Sequence, residues 1–300
     1  MEFAMRGAVF LVEVTPRGGP AAVLDSSPSR TAFGAALYRA AHQLVDRPPV
    51  FEDPLALKIV GPECELQAEL ARRVSPAASP MRAFIAARSR YAEDAFAGAY
   101  ARGARQYVVL GAGLDTFAYR CSLNAVRVFE VDHPATQGWK REHLARAGIA
   151  IPESVAYAPV DFERETVRDG LARTRFDFSR PASFAWLGVT PYLTPEAVMN
   201  TLRIVARDMA EGTEIVFDFV TPPEDDPRAI SARESFAARV AAAGEPLRSA
   251  FAPADLVQQA RSLGFSQVAV ADAAMLNARY LDGRQDGLRL RGGHLMHTRV

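Results

Sequence analysis

Cysteine and lysine are scarce in this sequence, and its charges balance. Cys64 and Cys121 are the only cysteines among 300 residues, which excludes a disulfide framework and predicts a reducing, cytoplasmic location. Lys58 and Lys140 are the only lysines, a usage that we attribute to coding bias. Basic and acidic residues number 35 each, so net charge gives no reason to expect nucleic acid or a membrane surface as a partner. The five histidines form no recognised metal-binding motif, and we expect no metal.

Long apolar runs are also missing. No stretch approaches the roughly 18 apolar residues of a membrane-spanning helix. The apolar patch at 8–12 ends at Glu13 and is too short for the core of a signal peptide. We therefore expect no membrane partner. No internal repeat is visible, and a length of 300 residues suits one large domain or a domain with a cap.

The first third of the chain is predicted to form an arm followed by helices. Residues 1–30 are rich in proline, glycine and serine, which predicts a loosely ordered arm. Residues 31–104 are rich in alanine, with apolar residues spaced by three and four, and they are predicted to form a helical cap. Within this cap, Asp53 is predicted to cap a helix that opens at Pro54, and a longer helix is predicted over 80–102.

From residue 105 onward, predicted strands alternate with predicted helices. The strands are 106–110, 126–131, 155–160, 183–189, 213–220, 266–271 and 294–299. The helices are 136–147, 163–173, 194–210 and 253–263, with a start signal at Thr194 and a stop at Gly264. This alternation predicts an α/β core over 105–300, with a parallel sheet covered on both faces. The last two strands have no obvious helix between them and predict an antiparallel edge hairpin, and residues 222–250 form a further cap insertion.

The turn after the first predicted strand is the most informative feature. An apolar run ends at Gly111-x-Gly113, where backbone can approach a ligand closely, and Asp115 follows. A negative charge there opposes a pyrophosphate, and Thr116 stands where the dinucleotide fingerprint has its third glycine. S-adenosylmethionine carries an ammonium and a sulfonium instead. The charge pattern therefore favours this methyl donor over NAD.

Acidic residues follow the next two predicted strands. Asp132 lies about 20 residues past the turn, where an acid bonds the ribose hydroxyls of adenosine. Asp161 can accept the adenine amino group while the ring of Phe162 packs against the base. Each acid alone could be a solvated strand end, but ligands bind beyond the carboxyl ends of parallel strands. Their joint occurrence there predicts an adenosine site.

Six short segments together resemble a known family. They are 30–32 (RTA), 51–56 (FEDPLA), 87–91 (ARSRY), 109–116 (VLGAGLDT), 130–134 (EVDHP) and 188–193 (GVTPYL). In this combination they resemble the leucine carboxyl methyltransferase family, in its bacterial branch of S-adenosylmethionine-dependent methyltransferases. The similarity covers most of residues 28–300.

The resemblance implies a Rossmann-like methyltransferase fold, with a mostly parallel seven-stranded sheet, an antiparallel edge hairpin and an N-terminal helical cap. It implies S-adenosylmethionine as the cofactor, with contacts from Arg88, Gly111, Asp132, Asp161 and Phe162. Gly113 and Asp115 of the glycine turn, and Arg30, are further candidates for the same site. Arg88 suits the methionine carboxylate, because a guanidinium can bind a carboxylate through two parallel hydrogen bonds.

Methyl transfer asks little of the protein's side chains. The methyl group on a sulfonium is already activated, so an oxygen nucleophile needs proximity and in-line alignment. A carboxylate acceptor is ionised near neutral pH, whereas a hydroxyl acceptor needs a general base. The candidates for that base are His133, Tyr119 and Tyr192, each of which could instead be structural. Arg120 is a candidate for orienting an anionic acceptor.

The predicted function is an S-adenosylmethionine-dependent O-methyltransferase acting on a carboxylate or hydroxyl of a small molecule, such as a secondary metabolite. Two alternatives stay open: an NAD-dependent oxidoreductase, and a non-catalytic cofactor-binding protein of the same fold. Leu187 stands where the eukaryotic, protein-methylating members of the family have an acid. This departure argues against a protein carboxyl group as the acceptor.

Overall fold

One sheet and the helices around it make up the described part of the chain. The computed structural model describes residues 29–61, 63–162, 164–222, 227–242 and 244–300. The strands are β1 (Gln106–Leu110), β2 (Arg127–Asp132), β3 (Val155–Pro159), β4 (Ala182–Trp186), β5 (Glu214–Phe219), β6 (Gln267–Ala271) and β7 (His294–Arg299). The helices are α1 (Arg30–Val45), α2 (Ala56–Val60), α3 (Glu63–Val74), α4 (Ser79–Ala101), α5 (Phe117–Arg120), α6 (Pro134–Arg146), α7 (Val167–Ala172), α8 (Pro195–Asp208), α9 (Pro227–Ala242), α10 (Pro253–Leu263) and α11 (Ala273–Tyr280). Among these helices, none is both long and apolar enough to cross a membrane.

The seven strands lie in the order β3-β2-β1-β4-β5-β7-β6. Strands β1 to β5 pair in parallel, and β7 runs antiparallel to both β5 and β6. The predicted, mostly parallel sheet with an antiparallel edge is thus confirmed. The order of the strands along the chain reverses between β1 and β4. A crevice therefore lies beyond their carboxyl ends, where open α/β sheets bind ligands.

The connection between the last two strands differs from the prediction. Helix α11 lies between β6 and β7, where no helix is predicted. Asp272 caps it by accepting the backbone N–H of Met275 at 2.8 Å, and Leu276 is its one buried residue. A helix of eight residues with a single buried side chain leaves little apolar periodicity in the sequence. Two other predicted helix boundaries are confirmed, since Thr194 caps α8 and Gly264 ends α10 in the left-handed region.

Both faces of the sheet are covered, and this explains the continuous apolar character of its central strands. All five residues of β1 are buried. Val108 and Leu110 face the cluster that contains α7, α8 and α10. Tyr107 and Val109 face α4, whose Phe96 ring lies 4.4 Å from the Tyr107 ring. Helix α4 thus connects the N-terminal helices to the sheet.

Helix α1 packs against α2, α3 and α4, and α3 also contacts α4. Asp53 makes the cap-type bond that the sequence predicts, from its side chain to the N–H of Leu55, but in a turn that precedes α2, because the helix itself begins at Ala56. Its carboxylate is also buried in contacts between α1 and the turn after β1. Its Oδ2 accepts from Thr116 Oγ1 at 2.7 Å and from Arg39 Nε at 3.3 Å, and its Oδ1 accepts from the N–H of Leu55, before α2 begins. Arg39 also donates to the carbonyl of Leu114 at 2.5 Å. These bonds hold the cap against the glycine turn.

Most of the predicted arm falls outside the described residues. Of residues 1–30, only Ser29 and Arg30 are described, as the cap and first residue of α1. The predicted insertion at 222–250 contains α9 and is described except at 223–226 and 243.

Candidate cofactor and acceptor site

The turn after β1 requires both of its glycines. Gly111 and Gly113 have positive φ angles of 63° and 43°. A Cβ on Gly111 would lie 2.3 Å from Val189 Cγ2, in the loop after β4, and one on Gly113 would lie 2.8 Å from Ala32 Cβ of α1. The turn is therefore packed between the switch-point loop and the cap, in a backbone conformation that side chains rarely adopt.

Asp132 joins the end of β2 to this turn. Its Oδ2 accepts the backbone N–H of Gly113 at 2.6 Å, and its Oδ1 accepts that of His133 at 2.7 Å. Burial raises the pKa of the Asp132 carboxyl, and these two N–H bonds oppose the rise. The side chain predicted to meet a ribose is thus fixed against the glycine turn.

The end of β3 lies beside Asp132. The backbone N–H of Val160 donates to the carbonyl of Asp132 at 2.9 Å, and Asp161 follows directly. Asp161 Oδ2 lies 3.4 Å from Arg164 Nε, and the ring of Phe162 packs partly buried against the core. Gly111, Asp132 and Asp161 therefore end three neighbouring strands at one edge, as the sequence predicts.

Asp115 turns the chain into α5. Its Oδ1 accepts the backbone N–H of Phe117 at 2.8 Å. The side chain is half-buried. A role for it towards the cofactor's ammonium group stays a prediction.

Arg88 lies on the other side of the crevice, beside Asp218, an acid that is not among the predicted site residues. Its Nη1 bonds Asp218 Oδ2 at 2.6 Å, and only 11% of its side chain is exposed. Asp218 Oδ1 also accepts the backbone N–H of Gly188 at 2.5 Å, and its carbonyl accepts from Thr190 Oγ1 at 2.5 Å. Asp218 thus holds both Arg88 and the loop after β4. An acid inside the otherwise apolar run 215–219 is the one signal of it in the sequence.

The N-terminus of α1 and the end of the insertion meet at this loop. The backbone N–H of Thr31 donates to Glu245 Oε2 at 3.0 Å, and Ser249 Oγ donates to the carbonyl of Thr190 at 2.8 Å. Arg30 is exposed at the same end of α1. These contacts bring the cap and the insertion together over the carboxyl ends of β4 and β5.

The three candidate bases have different surroundings. His133 caps α6, because its Nδ1 accepts the backbone N–H of Ala135 at 3.2 Å. Tyr119 is held by Glu130 and Tyr157, and burial raises its pKa far above the usual range. Tyr192 lies in the turn after β4, where burial raises its pKa to about 12. Of the three, Tyr192 lies with Arg88 and Asp218 at the crevice.

Arg120, the candidate for orienting an acceptor, is engaged within the cap contacts. Its guanidinium bonds both carboxylate oxygens of Glu93 on α4, and its Nε donates to Thr116 Oγ1 at 3.1 Å. The guanidinium also lies 4.9 Å from the centroid of the Phe51 ring. These contacts give Arg120 a structural role in joining α4, α5 and the segment before α2.

Comparison with known proteins identifies the family. The family model of leucine carboxyl methyltransferase matches residues 32–206, which is more than half of the chain. The chain belongs to the leucine carboxyl methyltransferase family. The match spans α1 to α8, and so includes the cap, the glycine turn, Asp132 and the loop after β4.

One relative covers most of the chain and another about half of it. YktD of Bacillus subtilis is named as an S-adenosyl-L-methionine-dependent methyltransferase, and its name states no methyl acceptor. It is 29% identical over 285 residues, which cover 87% of this chain and 93% of the length of YktD. A protein of Mycolicibacterium paratuberculosis with the same assignment is 38% identical over 163 residues, 54% of this chain and 51% of its own. A solved structure assigned to the methyltransferases, from Thermobifida fusca, aligns with a TM-score of 0.56 at 19% identity, covering 92% of this chain and 96% of that one.

The comparisons confirm two expectations, the fold and the class of enzyme. The fold is the Rossmann-like methyltransferase fold that the sequence predicts. The protein is an enzyme of a methyltransferase family, which decides against an NAD-dependent oxidoreductase. Leu187 packs partly buried among apolar residues of the sheet and cap.

Proposed function

We propose that this methyltransferase transfers the methyl group of S-adenosylmethionine to a carboxylate or hydroxyl oxygen of a small molecule. The observation that carries the proposal is the alignment of Gly111, Asp132 and Asp161 at the carboxyl ends of three neighbouring parallel strands, beside the switch between β1 and β4. S-adenosylmethionine is the cofactor, as the names of its relatives state for those proteins.

The residues at this edge fit the parts of the cofactor. A carboxylate can accept about four hydrogen bonds, so Asp132 can take ribose hydroxyls in addition to its two backbone N–H groups. Asp161 and Phe162 would hold the adenine. Arg88 would hold the methionine carboxylate, because its guanidinium has five N–H donors to share between that group and Asp218.

The remaining chemistry concerns the acceptor. When bound, S-adenosylmethionine supplies a methyl group that its sulfonium already activates. Tyr192, with its pKa raised to about 12 by burial, is protonated near neutral pH and would donate a hydrogen bond to an acceptor oxygen. His133 and Tyr119 are held in a helix cap and a buried network. A carboxylate acceptor needs no general base, so none of these three side chains has to remove a proton from it.

A small acceptor fits the cover over the crevice better than a protein does. The N-terminus of α1 contacts the insertion. Ser249, near the end of the insertion, contacts the loop after β4. Leu187 takes the place of the acid found in protein-methylating members. Both observations favour an acceptor that enters beneath the cap.

The test is transfer of a tritiated methyl group from S-adenosylmethionine to pools of small carboxylic acids and alcohols. We expect incorporation that alkali releases as volatile methanol if the product is an ester, and that survives alkali if it is an ether.

The Asp132→Asn variant should lose about 10- to 100-fold in kcat/KM, the magnitude of a hydrogen bond to a charged group. Asp177→Asn, which changes an exposed acid distant from the crevice, is the matched control. Tight binding of S-adenosylhomocysteine without transfer to any acceptor would instead favour the non-catalytic alternative.

A further inference from the structure

A lysine is fully buried beside the proposed cofactor site. Lys140 of α6 is 1% exposed, and its Nζ lies 2.7 Å from Oε1 of Glu130, which is also buried. Lys58, the other lysine of the chain, is exposed. A chain that otherwise uses arginine thus places a compact ammonium group in its interior.

Two tyrosines complete the buried polar network. Tyr119 of α5 donates to Glu130 Oε2 at 3.0 Å, and its hydroxyl lies 2.8 Å from that of Tyr157 on β3. The ammonium group of Lys140 lies 5.2 Å from the centroid of the Tyr119 ring. Both oxygens of the Glu130 carboxylate are therefore bonded, one by a cation and one by a phenol.

This network joins the four segments that lead to the proposed cofactor contacts. Helix α5 follows the glycine turn and Asp115, β2 ends at Asp132, α6 begins two residues later, and β3 leads to Asp161. Glu130 precedes Asp132 by two residues, so the two side chains share one face of β2. Gln137 of α6 adds a bond from Nε2 to the carbonyl of Glu130 at 2.9 Å.

Stability alone is a weak reason for such a pair. Removing two charges from water carries a penalty that their attraction often only just offsets, and apolar replacements are frequently as stable. A better reason is geometric, since a bonded pair admits one arrangement of the segments that it joins.

We propose that Glu130, Lys140 and Tyr119 form a positioning network that fixes the Asp132 carboxylate for binding the ribose of S-adenosylmethionine. The inference rests on the proposed function, because it assigns the network to that cofactor site. None of the three side chains needs to touch the cofactor. Their effect passes through the backbone of β2 and through the start of α6, where His133 N–H bonds Asp132 Oδ1.

The network also acts on charge. Burial raises the pKa of the Asp132 carboxyl, and the nearby cation of Lys140 lowers it. His133 next to it acts in the same direction as Lys140. Lys140 thus favours the ionised form of Asp132, which accepts hydrogen bonds from ribose hydroxyls.

The experiment separates cofactor affinity from stability. Two variants are compared with the wild type: the Glu130→Gln/Lys140→Met double variant and Tyr119→Phe. For each protein, calorimetry gives the dissociation constant for S-adenosylhomocysteine, and urea unfolding gives the unfolding midpoint. We expect the double variant to bind about tenfold or more weakly, because small displacements of binding groups have large effects. Tyr119→Phe, which keeps the charge pair and should fold, is expected to weaken binding by a few-fold. The Lys140→Arg variant should retain only part of the wild-type affinity, because the larger planar guanidinium of arginine does not fit the site of the ammonium group.

Two controls match these changes. Glu214→Gln removes a buried carboxylate at the start of β5, where it bonds His297, and should lower the midpoint without changing the dissociation constant. Lys58→Met removes the exposed lysine and should change neither the unfolding midpoint nor the dissociation constant. Affinity within twofold of wild type in both network variants would overturn the positioning role. If Asp132→Asn still weakens binding in that case, the inference alone fails, whereas absence of binding by the wild type would defeat the proposed function as well.

Discussion

Two glycines at the end of β1 fix the backbone on which the proposed site rests. Gly111 has a φ of 63° and faces Val189, so both its conformation and the space around it exclude a side chain. Gly113 donates its N–H to Asp132 and leaves space for Ala32 of α1. At the scale of single residues, the turn therefore links the site acid, the switch-point loop and the cap.

Gly111→Ala should damage the turn by two separable effects. The new Cβ meets Val189 Cγ2, and the positive φ adds about 1 kcal/mol of strain. We expect weaker S-adenosylhomocysteine binding and a lower urea midpoint. The Gly111→Ala/Val189→Ala double variant should recover the part that is due to the clash. Gly34→Ala, at a helical glycine with open space around it, is the control and should be neutral or slightly stabilising. A Gly111→Ala protein that matches wild type in both measurements would disprove this account of the turn.

At the scale of elements, strong periodic patterns are predictable and weak ones are not. The strands β1 to β7 lie within about two residues of their predicted positions at most ends, because most of them are short, largely apolar segments bounded by turn residues. Helix α11 is not predicted, because one buried leucine in eight residues leaves no pattern. Asp53 has the sequence context of a helix cap and bonds the N–H of Leu55, but its further bonds to Arg39 and Thr116 are revealed by no local pattern.

A buried ion pair joins α1 to α4. Asp46, at the end of α1, bonds Arg82 of α4 at 2.7 and 2.9 Å and His42 Nδ1 at 2.7 Å. The Nε2 of His42 in turn accepts the backbone N–H groups of Val50 and Phe51. Burial alone would raise the pKa of Asp46, but the bonds from His42 and Arg82 hold it below its ordinary value.

Asp46→Asn should therefore destabilise the protein by about 3–5 kcal/mol at pH 7, because it leaves the Arg82 charge buried without its partner. Since the pKa of Asp46 is lowered by folding, its contribution is complete above the ordinary value of about 3.9 and is lost as pH falls through the folded-state pKa. Urea unfolding at several pH values should thus show the difference from wild type narrowing at acid pH. Asp177→Asn, at an exposed acid, should have little effect. An unchanged difference down to pH 2.5 would contradict the assignment.

At the scale of the whole molecule, the strand ends could be predicted and the contacts across the crevice could not. Parallel strands bring their carboxyl ends to one edge, so the placement of Asp132 and Asp161 follows from chain order. The pairing of Arg88 with Asp218 joins residues 130 positions apart, and the bond between Thr31 and Glu245 joins residues 214 apart. Such contacts depend on how the cap and insertion close over the sheet, and single-sequence patterns do not record this.

The central claim is that the edge formed by β1, β2 and β3 binds the adenosine of S-adenosylmethionine. Calorimetric titration with S-adenosylhomocysteine and with NADH, on wild type, Asp132→Asn and Asp177→Asn, tests it most directly. We expect wild type and Asp177→Asn to bind S-adenosylhomocysteine alike, Asp132→Asn to bind it about 10- to 100-fold more weakly, and none to bind NADH. Binding of NADH by the wild type, or equal affinity of wild type and Asp132→Asn for S-adenosylhomocysteine, would contradict the account.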